Sequence, residues 1–172
     1  MKTTAQFTFT IAAAILLLAG CGKQDAAKPA ATAGPATATA PSGPKEGRAV
    51  AFTANDAMKF NMTEIRATPG EALAVTLRNI GTMPKFSMGH NWVLLAEGVD
   101  VLAFANEGSM APKTDYVPAA YNDRIIAHTK LLGPGESDTV IFNAPTKPGR
   151  YVFICSFPGH FQVGMKGELI VE

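Results

Sequence analysis

The segment CSFPGHFQVGM, residues 155–165, gathers a thiol, an imidazole and a thioether in one short loop between the strand-like runs YVFI and KGELIVE. All three groups favour soft or borderline metals. Three donors on one tight loop cannot enclose a metal alone, so a fourth is expected from one of the two other histidines, His90 and His128. His90 follows Gly89, which lets the backbone approach closely, and opens the run NWVLL. His128 sits inside IIAHTKLL beside Lys130 and reads as a surface strand histidine. The better set is His90, Cys155, His160 and Met165: two imidazoles, one thiolate and one thioether, the donor composition of an electron-transfer blue-copper centre. Singly, Met165 reads as core filler and Asn91 as a turn residue. Only the combination and its order point to a metal. Gln162 follows His160 too soon to be the preferred axial donor.

The donor set is a compromise between oxidation states. Thiolate and thioether suit Cu(I) and imidazole suits both, so the ion changes charge with little movement. The cysteine count agrees. The chain has two cysteines, Cys21 and Cys155. If Cys21 is modified, Cys155 has no disulfide partner. A free thiol in an exported protein is a liability unless it is buried or committed to chemistry, and a metal commits it.

Export is expected from residues 1–20, where one early lysine precedes a short apolar run and small residues, a signal-peptide pattern too short for a transmembrane helix. Leu18-Ala19-Gly20-Cys21 resembles a bacterial lipobox, which implies cleavage before Cys21 and acylation of its thiol. Residues 21–48 are rich in Ala, Pro, Thr and Gly with almost nothing large and apolar, so they read as a disordered tether spanning roughly 30 Å. Gly22 rather than aspartate follows Cys21, which by resemblance to lipoprotein sorting favours the outer membrane, with the domain in the periplasm or at the cell surface.

The remaining residues, 49–172, carry ten Lys/Arg against twelve Asp/Glu, well mixed, which speaks against nucleic acid and against membrane contact other than through the anchor. Short alternating segments dominate this region: RAVAFTA, NMTEIRAT, EALAVTLRNIG, HNWVLLAEG, RIIAHTKLL, SDTVIFNA, GRYVFIC and KGELIVE. Pro-Gly turns separate several of them, at Thr68–Glu71, Gly133–Glu136 and Thr146–Arg150. Eight strands at this spacing predict an all-β sandwich or barrel. The stretch 99–122 alternates poorly and is expected to form a short helix and irregular flap outside the sheets. Trp92 is expected in the core.

MGHNWVL, IIAHTKLLGPGE, NDAMKFN and CSFPGH together resemble the azurins, blue copper proteins of the cupredoxin fold, over nearly all of 50–172. The resemblance implies a Greek-key β-sandwich holding one copper, with His90, Cys155 and His160 equatorial and Met165 axial. The Gly89 carbonyl would be a weak opposite contact, and Asn91 would tie the two ligand loops together near the thiolate. Two features depart from azurins: four residues, FQVG, separate His160 from Met165, a spacing similar to that of auracyanins, and the azurin disulfide cysteines are missing. The implied activity is one-electron transfer, without enzymatic turnover, to redox proteins such as cytochromes or copper reductases. Docking is expected at an apolar patch of Met58, Met88, Phe157, Pro158, Gly159, Phe161 and Val163, with His160 as the electron exit; the alternative for the two phenylalanines, and the preferred one for Phe157, is that they fold inward over the copper. A copper carrier or buffer is the first rival and a thiol hydrolase using Cys155 and His160 the second. The first lacks a Met-rich motif, the second a visible orienting group.

Overall fold

Every second residue of the first strand points inward, and the same period recurs through the chain. The computed structural model describes residues 46–172; the leader, Cys21 and nearly all of the tether read from the sequence lie outside them. The strands are β1 (Arg48–Asn55), β2 (Lys59–Phe60), β3 (Glu64–Ala67), β4 (Ala72–Asn79), β5 (Val93–Leu95), β6 (Ile125–His128), β7 (Ser137–Asn143), β8 (Gly149–Ile154) and β9 (Lys166–Val171). Two helices, α1 (Lys85–Met88) and α2 (Val101–Ser109), lie before and after β5. One sheet has the order β2-β1-β4-β7, the other β3-β9-β8-β5-β6. The result is the two-sheet β-sandwich that the resemblance implied.

Val50, Phe52 and Ala54 of β1 and Leu73, Val75 and Leu77 of β4 are buried, as are Tyr151 and Phe153 of β8 and Leu169 and Val171 of β9. These side chains close the space between the sheets. At its centre Trp92 is fully buried, with the rings of Phe153, Phe142 and Phe52 at 5.5, 5.9 and 6.0 Å. Removing such a ring costs about 3–5 kcal/mol. The indole N–H has no partner there, so packing alone holds it.

Two segments differ from expectation. RIIAHTKLL pairs as a strand only through His128. Beyond it the Thr129 hydroxyl accepts from the Trp92 peptide N–H, and Leu132 turns to form an isolated bridge with His90. The stretch 99–122 does lie outside the sheets, yet it is a packed layer rather than a loose flap. Asp100 caps α2 by accepting from Ala103 N, and Phe104, Ala105, Val117 and Tyr121 cover Val93, Leu95 and Ile154 on the outer face of the five-stranded sheet. That cover explains why all three residues of β5 are buried.

β1, β4, β6 and β8 end, and β7 and β9 begin, at one pole of the sandwich. The residues singled out for metal chemistry belong to the loops of that pole.

Candidate metal centre

Cys155 is the first residue after β8, and its N–H donates to the Met165 carbonyl at 3.1 Å, closing the base of the loop. Within the loop, His160 N donates to Phe157 O, Val163 N to Gly159 O, Gly164 N to Phe161 O and Met165 N to His160 O, at 2.9 to 3.2 Å. Turns this tight need left-handed backbone, and Gly159 and Gly164 supply it at φ 85° and 93°. The loop is therefore folded by its own peptide groups.

His90 is positioned from outside. Its N–H and carbonyl pair with Leu132 at 3.1 and 2.8 Å, and the Leu132 carbonyl also accepts from Asn79 Nδ2 at 3.1 Å. Asn79 falls at the inward position after Leu73, Val75 and Leu77, and is buried; its Oδ1 accepts from Gly81 N at 2.8 Å. Gly89 is there for space. A Cβ on it would lie 2.7 Å from the Lys85 carbonyl and 2.9 Å from Leu131 Cγ, so only glycine lets α1 and the Leu131 side chain close on this segment.

These two segments bring three donors together. Cys155 Sγ lies 3.3 Å from His160 Nδ1 and 4.0 Å from His90 Nδ1, and the three donor atoms all fall within 4.8 Å of one another. Bonds of about 2.1 Å to nitrogen and 2.3 Å to sulfur, spread by 110–120° at one ion, would separate N from S by about 3.6–3.8 Å. The observed pair brackets that range, so the cage fits a small metal ion. Met165 is fully buried in the same core as Cys155.

Burial sets the protonation states. The Cys155 thiol is pushed up to about 12 by burial, with the peptide N–H groups of Asn91 and Phe157 pulling the other way. His160 is lowered to about 4, first by burial and then by the charge of His90; burial likewise lowers His90, opposed by the Asn55 carbonyl and the Asp56 carboxylate. His90 Nε2 is buried and faces that carbonyl without reaching full hydrogen-bond geometry. Both imidazoles are thus neutral at pH 7, the form that ligates, while the thiol keeps its proton until a cation takes its place.

Asn91 links the two segments. Its Oδ1 accepts from Ser156 N at 2.8 Å, and its Nδ2 donates to Ser156 Oγ at 2.8 Å and to the Asp115 carbonyl at 2.9 Å. Sequence reasoning missed Ser156, Asp115 and Asn79. Asn79 could have been found from its place in the period-two pattern of β4. Asp115 could not, because it arrives from the layer after α2, where it takes the left-handed φ of 55° and its carboxylate accepts from Leu131 N. Tyr116, also left-handed at 62°, meets Phe157 edge-on at 5.0 Å, and Phe157 in turn lies 4.7 Å from the His160 ring.

The expected surface patch needs one correction. Phe157 is buried, folded between Tyr116 and His160, so it supports the ligand and presents nothing to a partner. Pro158, Gly159 and Val163 are exposed, while Met58, Met88 and Phe161 are half-buried, Phe161 packing toward the outer layer. The pole also exposes Met83 and Phe86, which sequence reasoning left out of the patch; Phe86 is 83% exposed. Of the trio, His90 and Cys155 are fully enclosed and His160 keeps 2% exposure. His128 is exposed, away from the trio, with Nδ1 3.1 Å from the Thr129 carbonyl.

Comparison with known proteins agrees with this geometry. The azurin of Achromobacter denitrificans is 44% identical over 119 residues, 67% of this chain and 78% of that protein. Outer membrane protein H.8 of Neisseria gonorrhoeae is 40% identical over 114 residues, 65% of this chain and 61% of that protein. The dithionite-reduced auracyanin of Roseiflexus castenholzii superposes with a TM-score of 0.63 at 35% identity, covering 72% of this chain and 96% of that one. The family model for copper-binding proteins of the plastocyanin/azurin family matches residues 48–172, the whole of the sandwich. With that match and a buried His-Cys-His cage of the right size, the chain belongs to the plastocyanin/azurin family, and its cofactor is a single copper ion.

Proposed function

We propose that the protein is a one-electron carrier whose copper is held by His90, Cys155 and His160, with Met165 as the axial donor, and that a lipid on Cys21 tethers it to a bacterial membrane, the outer membrane in preference. The observation that carries the redox part is the enclosed trio, Cys155 Sγ at 3.3 and 4.0 Å from the two Nδ1 atoms with all three side chains at most 2% exposed. When bound, copper in such a donor set alternates between Cu(I) and Cu(II), taking up or releasing one electron.

The chain's own residues do the rest. Cys155 gives up its proton on loading, and the N–H groups of Asn91 and Phe157 are aimed at the charge that appears on sulfur. Asn91, bonded to Ser156 and Asp115, fixes the distance between the two ligand segments, so a change of charge meets donors that are already in place. The four peptide hydrogen bonds inside the loop resist its opening. Burial keeps water off the ion and makes His160, with the only exposed surface of the trio, the shortest way out for an electron.

A copper buffer would need exchangeable, exposed donors, and these are enclosed. A thiol nucleophile needs a lowered thiol pKa and substrate access, and Cys155 has a raised pKa and no exposure. Lipid anchoring rests on the Leu-Ala-Gly-Cys pattern, with the Neisseria relative named an outer membrane protein as support. The test of the redox reading is the visible spectrum of the copper(II)-loaded protein. An intense thiolate-to-copper charge-transfer band is expected, and a colourless or weakly coloured complex would refute the assignment. Cys21→Ser is expected to release the protein to the soluble fraction with its colour intact; continued membrane association would refute the anchor.

A further inference from the structure

The metal-bearing pole separates charge in a way the composition hides. Five carboxylates lie there, four of them turned onto peptide N–H groups: Asp56 accepts from Thr82 and Met83, Asp115 from Leu131, Glu136 from Gly133 and Asp138 from Lys130, while Glu107 accepts from the Tyr121 hydroxyl. Asp56, Asp115 and Asp138 are half-buried as a result. The cations there behave differently. Lys59, Arg78, Lys113, Lys130 and Lys166 are all exposed and have no carboxylate partner among the described residues; Lys85 alone is paired, with Glu136 at 3.1 Å.

Towards the other pole the cations are neutralised: Arg48 pairs with Glu71, Arg66 with Glu172, Lys147 with Glu97 and Arg150 with Glu168. Although carboxylates outnumber cations over 49–172, this end holds six cations against five carboxylates, and three of those carboxylates are half-buried while all six cations are exposed. The same end carries the exposed apolar side chains Ile80, Met83, Phe86, Met110 and Val163. Lys59 stands beside the Met58 turn, Lys113 beyond Met110, and Lys166 over the Phe161 ring at 5.4 Å. Apolar contact with a charged margin is the anatomy of a transient protein interface, in which the margin steers encounter and the centre holds it.

We propose that this pole docks a redox protein that presents a carboxylate-lined face, with Lys59, Lys113 and Lys166 steering the approach and Met83, Phe86, Met110 and Val163 making the contact. The inference rests on the electron-carrier reading. It commits to an acidic protein because five exposed cations without a carboxylate partner surround an apolar centre. Two copies of this pole would repel, so electron self-exchange rises with ionic strength.

The test uses the copper-loaded full-length protein and one c-type cytochrome in two forms, native with a lysine-rich haem edge and succinylated to make that edge carboxylate-rich. Lys59→Glu/Lys113→Glu is the variant, since neither residue neighbours a proposed ligand, and Lys147→Glu at the other pole is the control. At low ionic strength the double variant is expected to lose about tenfold in second-order rate with the succinylated form and to gain with the native form, both effects fading in high salt. Lys147→Glu changes either rate by less than twofold. Equal rates for wild type and double variant, or losses of the same size with both cytochromes, overturn the proposal. So does a wild-type protein that ignores the succinylated cytochrome but binds anionic phosphatidylglycerol vesicles through these lysines. A failure of the carrier reading looks different, because the copper protein would then lack the charge-transfer band and exchange electrons with neither cytochrome.

Discussion

The two segments that supply the proposed ligands are held by opposite means. The loop from Cys155 to Met165 is tied by its own peptide hydrogen bonds and two left-handed glycines, so its geometry is local. The His90 segment has only the single turn of α1 before it, closed on the Pro84 carbonyl, and no peptide hydrogen bond of that turn reaches His90. The segment is placed by Leu132, by Asn79 reaching the same carbonyl from β4, and by the fit of Gly89 under Leu131. A site assembled this way has one half that forms whenever the loop forms and another that reports on the whole sandwich. Damage to the first should abolish chemistry and spare the fold, while damage to the second should cost both.

The sharpest break is Cys155→Ser. The charge-transfer colour should vanish entirely while circular dichroism still reports a folded β-protein, since the hydroxyl is a near-isosteric replacement and the strands pair without the sulfur. Persistent intense colour would show that another residue supplies the thiolate band. Next in size is Gly89→Val, which drives a side chain into the Lys85 carbonyl and Leu131. Stability is expected to fall by about 2–4 kcal/mol in denaturant melts, and copper affinity by at least about 10-fold, because His90 must shift with its backbone. Asn91→Ala should be milder for the fold and visible at the metal. It leaves the buried Ser156 N–H without its acceptor, at a cost of about 1–3 kcal/mol, and a broadened copper(II) resonance spectrum would report the loosened tie between segments.

Acid should separate the metal-free from the loaded protein. His160 is lowered to about 4 in the fold from 6.5, so protons bind the unfolded chain more readily across that interval. The stability tied to its neutral form is fully present above about pH 6.5 and is lost as pH falls toward 4, by up to ~3 kcal/mol. Thermal melts of the copper-free protein between pH 7 and 4 test this sign; a flat profile would mean the imidazole is better solvated than its burial indicates. The smallest expected effect is that of His128→Ala. An exposed histidine outside the trio should leave colour, affinity and stability unchanged within about 0.5 kcal/mol, and a lost site there would mean that the wrong histidine was paired with the loop.

How much of this was legible before folding follows the same division. Period-two alternation marked β1 and β4 as half-buried strands, and Asn79 extended the pattern in plain view although its polarity disguised it. The stretch 99–122 was recognised as foreign to the sheets but not as a second packed layer. Its apolar residues follow no strand period, and their partners, Val93, Leu95 and Ile154, are distant in sequence. Phe157 reads in sequence both as part of the exposed patch and as a ring folded inward over the copper; the ring of Tyr116, brought round on left-handed backbone, packs on the inward one.

The sequence by itself determined the donor types, the loop that carries three of them and the period that builds the sheets, because donor chemistry, turn glycines and alternation act over a few residues. Which histidine joins that loop was indicated by a motif but made physical only by the sandwich, since His90 and Cys155 are 65 positions apart and meet only when β4, β5 and β8 stack. Tertiary structure alone decided the protonation states, because water exclusion is a property of the closed fold. It also decided which charges stand out at the metal pole, where peptide N–H groups from neighbouring loops draw Asp56, Asp115 and Asp138 half into the surface and leave the lysines exposed.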